Sequence, residues 1–362
     1  MNITPYINEA VELLKRLIAT PSVSREEGAA ADILADFIGN CGIPVKRIGN
    51  NLFVCEELDA EKPTLLLNAH IDTVKPVSTW TRNPFTPVVE GDRLYGLGAN
   101  DCGGGLVSLL QVYRILRGET SQREQNGEGA SPIPYNIVYL ASCEEEVSGA
   151  GGVSLALPEL PKIDVAIVGE PTGMQPAIAE KGLMVIDGVA YGKSGHAARE
   201  EGINAIYEAL DDLVWLRDYR FKKSSPLLGP TKMTVTVLNS GTQHNVVPDE
   251  CRFVIDVRTN EYYQNEYLFS FLQKHMKKCE LKARSFRLSS SHIPIGHPLV
   301  MKSLQMGLVP FGSPTLSDQA LMPFPSLKMG PGDSARSHSA DEFICISEIE
   351  QAMKTYIELL SL

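Results

Sequence analysis

Histidines and carboxylates follow several short apolar runs of this sequence, most of them within a few residues and His338 after a longer intervening segment. The residues in these positions are His70, Asp72, Glu144, Glu145, Glu170 and His338. Asp101 adds a carboxylate at the end of another short segment, 95–101. Imidazole and carboxylate without thiolate suit zinc, or cobalt and manganese as substitutes, better than magnesium. These residue types predict a metal site, provided that the fold brings the ends of the runs together.

Two metal ions fit the number of candidate ligands better than one. The candidates are His70, Asp101, Glu145, Glu170 and His338. This set exceeds what one tetrahedral ion with an open position uses, whereas two ions about 3.5–4 Å apart can share a bridging carboxylate. Asp72 stands two residues after His70, and side chains at that spacing on an extended chain point the same way. Asp72 is therefore expected to orient the imidazole of His70.

The three consecutive glutamates allow two different roles. In an extended chain the side chains of Glu144 and Glu145 diverge, so one can bind metal while the other takes a proton from water. Glu146 is expected to lie on a solvated face. Each carboxylate also has an ordinary alternative: Asp101 could cap a helix, and Glu170 could belong to a turn. Convergence at one edge of a sheet favours the metal site over these separate explanations.

The apolar runs themselves predict strands that are buried on both faces of a parallel sheet. They cover 64–69, 136–142, 164–169 and 326–330. A helical pattern over 105–116 lies between two of them, and alternation of strand and helix is typical of a parallel α/β sheet. Ligands bind such sheets at the carboxyl ends of the strands.

Other segments connect or precede this sheet. Helical spacing is present in the first forty residues, with Ser24 and Glu27 placed to form a capping box before the second helix. The stretch 118–134 is polar and rich in glycine and serine. We predict that it is an exposed loop.

Residues 181–295 are predicted to form a separate α+β domain inserted into the first. Its half-buried antiparallel strands are expected at 183–191, 232–238 and 252–257. Helices are expected at 203–214 and near 267–278. The expected fold is therefore α/β, a mostly parallel sheet with helices on both faces, formed by 1–180 and 296–362 and carrying the inserted domain.

Composition and charge exclude several classes of protein. The chain has 362 residues, 43% of them hydrophobic and 21% charged, as in a globular protein of about two domains. The net charge of −11 argues against nucleic acid and anionic lipid as partners. We find neither an apolar run of membrane-spanning length nor a signal-peptide core. Seven scattered cysteines without a CxxC pair predict reduced thiols and a cytoplasmic protein.

Several longer runs resemble the dizinc metallohydrolase family of acetylornithine deacetylase, succinyl-diaminopimelate desuccinylase, aminoacylase and carboxypeptidase G. In family order, they are NAHIDTV, GLGANDCGGG, ASCEEEVSGAGG, VGEPT, GKSGHAAREEGINA, NVVPDECRFVIDVR and GPGDSARSHSADEF. The resemblance implies a zinc exopeptidase-like fold. It also implies that His70, Asp101 and Glu170 hold one zinc, that Asp101, Glu145 and His338 hold the other, and that Asp101 bridges them.

The resemblance implies further roles outside the ligand set. Glu144 would be the general base and later the acid, and Asp72 would orient a metal-binding ring. The inserted domain would be a lid and dimerisation domain, giving a homodimer. Its His196 would stabilise the oxyanion, while Asn245 and Arg258 would contact substrate, Arg258 through a carboxylate.

One position departs from the family pattern. Members commonly carry Met-Lys-Gly after the bridging aspartate, whereas Cys102, Gly103 and Gly104 follow it here. Cys102 could contact the ligands, be sensitive to oxidation or simply pack, and we favour packing. The missing lysine bears on substrate selectivity rather than on metal binding.

The expected activity is hydrolysis of the amide bond of an N-acyl amino acid, a small-molecule substrate. We favour N-acetylornithine or another N-acylornithine, released as ornithine in arginine biosynthesis. Succinyl-diaminopimelate is the nearest alternative substrate, followed by those of a dipeptidase or carboxypeptidase. A catalytically inactive metal-binding module is a remote alternative, because such a protein is expected to lack the base or a ligand.

Overall fold

The computed structural model describes residues 2–126 and 133–361. In these residues the helices are α1 (Thr4–Ile18), α2 (Gly28–Asn40), α3 (Gly104–Asn126), α4 (Val153–Ala156), α5 (Ala205–Asp218), α6 (Asn265–His275), α7 (Pro298–Gln305) and α8 (Ile346–Leu360). None of the helices in the described ranges offers the long apolar stretch that a bilayer crossing requires.

The strands, in chain order, are β1 (Lys46–Ile48), β2 (Asn51–Cys55), β3 (Thr64–His70), β4 (Val88–Glu90), β5 (Arg93–Tyr95), β6 (Asn136–Ser142), β7 (Val165–Val168), β8 (Ala177–Glu180), β9 (Gly182–Tyr191), β10 (Gly195–His196), β11 (Ser224–Ser225), β12 (Gly229–Pro230), β13 (Lys232–Ser240), β14 (Val246–Val247), β15 (Glu250–Thr259), β16 (Cys279–Ala283), β17 (Ser291–His292), β18 (Phe311–Ser313), β19 (Ser326–Lys328) and β20 (Phe343–Cys345). The chain folds into two compact units. The first comprises Met1–Ile178, Ile293–Phe311 and Ser317–Leu362, and the second comprises Ala179–His292 and Gly312–Leu316.

A mixed sheet with a parallel centre forms the first unit. Its strand order is β1-β2-β6-β3-β7-β19-β8. The four strands β6, β3, β7 and β19 run parallel, whereas β1, β2 and β8 pair antiparallel with their neighbours. The predicted mostly parallel α/β sheet is confirmed.

Strand β3 shows why the predicted runs form central strands. All seven of its residues are buried, and their side chains alternate between the two faces of the sheet. Leu65 and Leu67 join the core made with α1, α3 and α8, whereas Leu66 joins a second core that includes Val153 and Ala156 of α4. Burying each leucine contributes about 1.5–3 kcal/mol. A continuous apolar run therefore places helices on both faces.

The second unit has its own antiparallel sheet, in the order β13-β15-β9-β16. Residues of β9 alternate between buried and partly buried positions, as expected for a strand with one face against a core. Met184, Ile186 and Phe253 from the sheet pack with Leu216 of α5 and Leu268 of α6. Whether this unit acts as a lid and dimerisation domain stays a prediction.

Two local predictions differ from the structure. The helix predicted to end near Leu116 continues to Asn126, so that part of the predicted loop 118–134 is helical, and 127–132 lies outside the described residues. The predicted capping box is not formed, because the Ser24 hydroxyl donates to Asp72 and Glu27 accepts from the backbone N–H of Glu144. The Ser24 side chain thus bonds to a segment distant in sequence, and Glu27 accepts the N–H of neighbouring Arg25 (2.7 Å) as well as that of distant Glu144.

Candidate metal centre

The parallel register of the central strands brings the predicted site residues to one edge of the sheet. On β3, His70 pairs with Ser142, the last residue of β6, and Asn68 pairs with Val168, the last residue of β7. The chain segments that follow these strands therefore leave the sheet side by side. Glu170, two residues past β7, meets His70 in this way.

Two imidazoles and three carboxylates converge here. His70 Nε2 lies 3.3 Å from Asp101 Oδ1 and 3.4 Å from Glu170 Oε1. His338 Nε2 lies 3.5 Å from Asp101 Oδ2 and 2.9 Å from Glu146 Oε2. Asp101 thus offers one oxygen to each histidine, which is the arrangement of a bridging carboxylate.

Among the three consecutive glutamates, the side chains that face the centre are displaced by one residue from those predicted. Glu146, expected on a solvated face, is the residue that meets His338, and its side chain is only 7% exposed. Glu144 is not among these groups, because its Oε2 accepts the backbone N–H of Gly151. The prediction assumed extended chain, but Glu144 has left-handed backbone (φ 54°, ψ 24°) and a short 3₁₀ turn, Glu145–Val147, follows. This turn directs the next two side chains inward.

The carboxylate of Asp72 binds the backbone of this turn and does not bind the ring of His70. Its two carboxylate oxygens accept the backbone N–H groups of Glu145 (3.0 Å) and Glu146 (3.2 Å), and one of them also accepts the hydroxyl of Ser24 (2.6 Å). The ring Nδ1 of His70 lies 2.8 Å from the backbone oxygen of Asp72 but 3.7 Å from its carboxylate. The predicted orienting contact is therefore made by the main chain of Asp72.

The centre concentrates negative charge away from water. Burial, together with the charge of Asp101, raises the pKa of Glu170 to about 8. Burial and the charge of Glu170 raise the pKa of Glu145 well above its usual range. The hydrogen bond with Glu146 raises the pKa of His338 to about 9. Such a cluster binds protons or other cations strongly.

A buried oxygen atom without a hydrogen-bond partner among the described residues gives a second, independent reason to expect a metal ion at this centre. Glu170 Oε1 is buried and makes no hydrogen bond with any part of the chain that the structure describes. Potential ligand atoms of His70, Asp101 and Glu146 lie within 4.8 Å of one another, and so do those of His70, Cys102 and Glu170. Nitrogen and oxygen donors dominate these groups, in keeping with zinc or its substitutes.

Cys102 packs beneath the centre. It is 1% exposed, and its sulfur accepts the backbone N–H of His70 at 3.2 Å. Burial raises the pKa of its thiol far above the usual range. The residue is thus both a packing residue, as favoured from the sequence, and a neighbour of a candidate ligand.

The remaining predicted site residues lie in the second unit. His196 and Asn245 are exposed, and the adjoining strands β10 and β14 bring them together, with the N–H of Ala197 donating to the Asn245 carbonyl. The Nε and Nη2 atoms of Arg258 donate to the carboxylate of Asp256, two residues earlier on β15. The guanidinium that was predicted to bind a substrate carboxylate therefore has a carboxylate partner within its own strand.

Sequence reasoning missed the structural role of three buried carboxylates that bond to chain segments around the centre. Glu342 accepts backbone N–H groups around Asp101, and Glu27 accepts that of Glu144. Asp318 accepts the hydroxyl of Ser142, and burial raises its pKa to about 6. The sequence could have indicated Glu342, because this residue stands in the family-like run GPGDSARSHSADEF. Asp318 lies outside all the runs that resemble the family.

A parallel α/β sheet with histidines and carboxylates gathered at its carboxyl edge is an arrangement suited to metal-dependent hydrolysis. Residues 66–362 match the model of peptidase family M20/M25/M40. The chain belongs to this family, in agreement with the resemblance found in the sequence.

Individual relatives match along nearly the whole chain. An acetylornithine deacetylase of Proteus mirabilis is 28% identical over 97% of this chain and 95% of its own length. Among solved structures, a tripeptidase of Staphylococcus aureus superposes with a TM-score of 0.74 at 21% identity, covering 98% of this chain and 97% of that one. A Bacillus subtilis protein described as a dinuclear metal-binding peptidase of family M20 gives 0.71 at 16% identity, covering 98% of each chain. These structural matches concern the fold.

Proposed function

We propose that this protein hydrolyses the amide bond of an N-acyl amino acid, and that its substrate is N-acetylornithine or another N-acylornithine. The convergence of His70, Asp101, Glu146, Glu170 and His338 carries the proposal of metal-dependent hydrolysis. The acetylornithine deacetylase from Proteus mirabilis, similar over almost its full length, supports the choice of substrate.

The proposed cofactor is a pair of zinc ions. His70, Asp101 and Glu170 would hold one, and Asp101, Glu146 and His338 the other. The dinuclear metal-binding relative from Bacillus subtilis supports two ions rather than one. Bound at this centre, the pair would polarise the scissile carbonyl and lower the pKa of a nearby water molecule.

Glu145 is the proposed general base. The charges of Glu170 and His70 both influence the pKa of its carboxyl, which therefore lies near them. Glu145 is nevertheless in neither of the ligand groups described above. It would accept a proton from the water that attacks the amide carbon. After the C–N bond breaks, it would return that proton to the leaving amine, giving a carboxylic acid and the free amino acid. Glu144, the predicted base, has no such position.

Residues of the second unit have proposed roles that rest on the family resemblance. His196 would donate a hydrogen bond to the oxyanion. Asn245 and Arg258 would contact substrate. We also infer that the protein forms a homodimer through this unit, and light scattering after gel filtration would measure its oligomeric state. The inferred location is the cytoplasm. All seven cysteines lie in described residues and are free thiols, which supports a reducing compartment.

A panel of substrates tests the proposal. Purified protein, stripped of metal and reloaded with zinc or cobalt, would be assayed with N-acetylornithine, N-succinylornithine, succinyl-diaminopimelate and simple di- and tripeptides. We expect the highest kcat/KM with an N-acylornithine. Preference for succinyl-diaminopimelate or for peptides would replace the substrate but keep the reaction class. Absence of hydrolysis alongside stoichiometric zinc would instead favour the inactive metal-binding module.

A further inference from the structure

The carboxylate of Glu342 is surrounded by backbone N–H groups from the segment that carries Asp101. Its Oε1 accepts the N–H of Asn100 at 2.8 Å and that of Asp101 at 2.9 Å, and its Oε2 accepts the N–H of Gly98 at 3.2 Å. The backbone oxygen of Glu342 also accepts the N–H of Gly96 at 3.0 Å. Only 2% of the residue is exposed.

These bonds join two distant parts of the chain. Glu342 stands four residues after His338, whereas the segment it binds lies more than 240 residues earlier. A second link runs beside it: the side-chain amide of Asn100 donates to the backbone oxygen of Asp333 and accepts its N–H, both at 3.0 Å. The segments that carry Asp101 and His338 are thus bonded to each other on both sides of the histidine.

The chemistry of the contact requires a carboxylate. Three N–H donors converge on the two oxygens of Glu342, and an ionised carboxylate is acceptor-only, with enough lone pairs for all of them. A glutamine in the same place would offer one oxygen and one NH₂ group. That NH₂ would face at least one backbone N–H, and a buried donor would lose its partner.

We propose that Glu342 is a positioning residue that fixes Asp101 relative to His338, so that one carboxylate can serve both metal positions. This inference rests on the proposed dizinc function. In this role Glu342 acts through the backbone N–H groups of Asn100 and Asp101. Its loss is therefore expected to weaken metal binding beyond any effect on folding.

Zinc titration of metal-free protein, followed by calorimetry, tests this inference in Glu342→Gln and in a matched control. The control is Asp212→Ala in the second unit, because Asp212 is also a buried carboxylate and one of its oxygens accepts the backbone N–H groups of both Lys278 and Cys279, at 3.0 and 3.1 Å. We expect both variants to melt at a lower temperature. Only Glu342→Gln should bind zinc more weakly, by about 10- to 100-fold, as when a partner that orients a metal ligand is removed.

The outcomes separate this inference from the function on which it rests. Wild-type protein that fails to bind two zinc ions would overturn the dizinc proposal and, with it, the role of Glu342. Two tight zinc sites in both wild type and Glu342→Gln would overturn the role of Glu342 alone. If Glu342→Gln does not fold, Glu342→Asp decides, since it keeps the charge but shortens the reach by one methylene; unchanged zinc affinity there would reject the positioning role.

Discussion

The candidate centre in the first unit and the candidate residues of the second unit are held in very different ways. Around the centre, buried carboxylates of Asp72 and Glu342 bind the backbone of the ligand-bearing segments. In the second unit, His196 and Asn245 are exposed, and Arg258 bonds within its own strand. The first arrangement is fixed by its own unit before any substrate arrives. The residues of the second unit can act only by contacting a bound substrate. Substitutions in the two sets should therefore change metal binding, kcat and KM differently.

The largest expected effect comes from the centre itself. Glu145→Gln should lower kcat by about 10²–10⁴-fold, because it removes the proposed general base. Zinc content, measured by elemental analysis, should stay at two ions. Glu144→Gln is the matched control and should keep most of its activity, since that carboxylate bonds to Gly151. An inactive Glu144→Gln beside an active Glu145→Gln would restore the assignment made from the sequence.

In the second unit, His196→Ala should produce the next largest loss. Removing one oxyanion donor, the role proposed for His196, costs about 10²–10³-fold in kcat. Zinc binding should be unaffected because the candidate ligands lie in the first unit. His292→Ala, which removes another exposed histidine of the same unit, serves as the control. Full activity of His196→Ala would show that His196 contributes nothing to the chemical step.

Arg258→Lys should have a smaller effect, confined to substrate binding. A lysine keeps the charge but loses the planar fork, so we expect KM to rise about tenfold with kcat nearly unchanged. Arg284→Lys is a close control, because Arg284 makes the same two-bond pair with Asp187 in this unit. A lower melting temperature with unchanged KM in both variants would make Arg258 a purely structural partner of Asp256.

The smallest effect is a pH dependence of the metal-free protein. The pKa of Glu170 is about 8 in the folded state against an ordinary 4.5. Between these values the folded state holds a proton that the unfolded state has lost, so the free energy of unfolding should fall as pH rises from 5 to 8. Urea unfolding at several pH values should show a shallower fall for Glu170→Gln. Equal slopes in the two proteins would contradict the strong burial of charge at this centre.

Sequence reasoning located most of this centre but not all of its geometry. The runs before His70 and Glu170 are mostly apolar, which identified central strands and hence the edge at which polar residues meet. The assignment within 144–146 was shifted by one, because a single left-handed residue turns the chain and reverses which side chains face inward. A strand pattern cannot reveal such a turn when all three side chains are identical.

The amino-acid sequence by itself determined the sheet, the chemical nature of the centre and the family. Burial of apolar side chains depends on local periodicity, and ligand chemistry depends on residue type; both can be read along the chain. Only the tertiary structure decided which glutamate meets His338 and which buried carboxylate holds the Asp101 segment. Those contacts join residues 192 and 241 positions apart, and their hydrogen bonds depend on directions in space that no local pattern records.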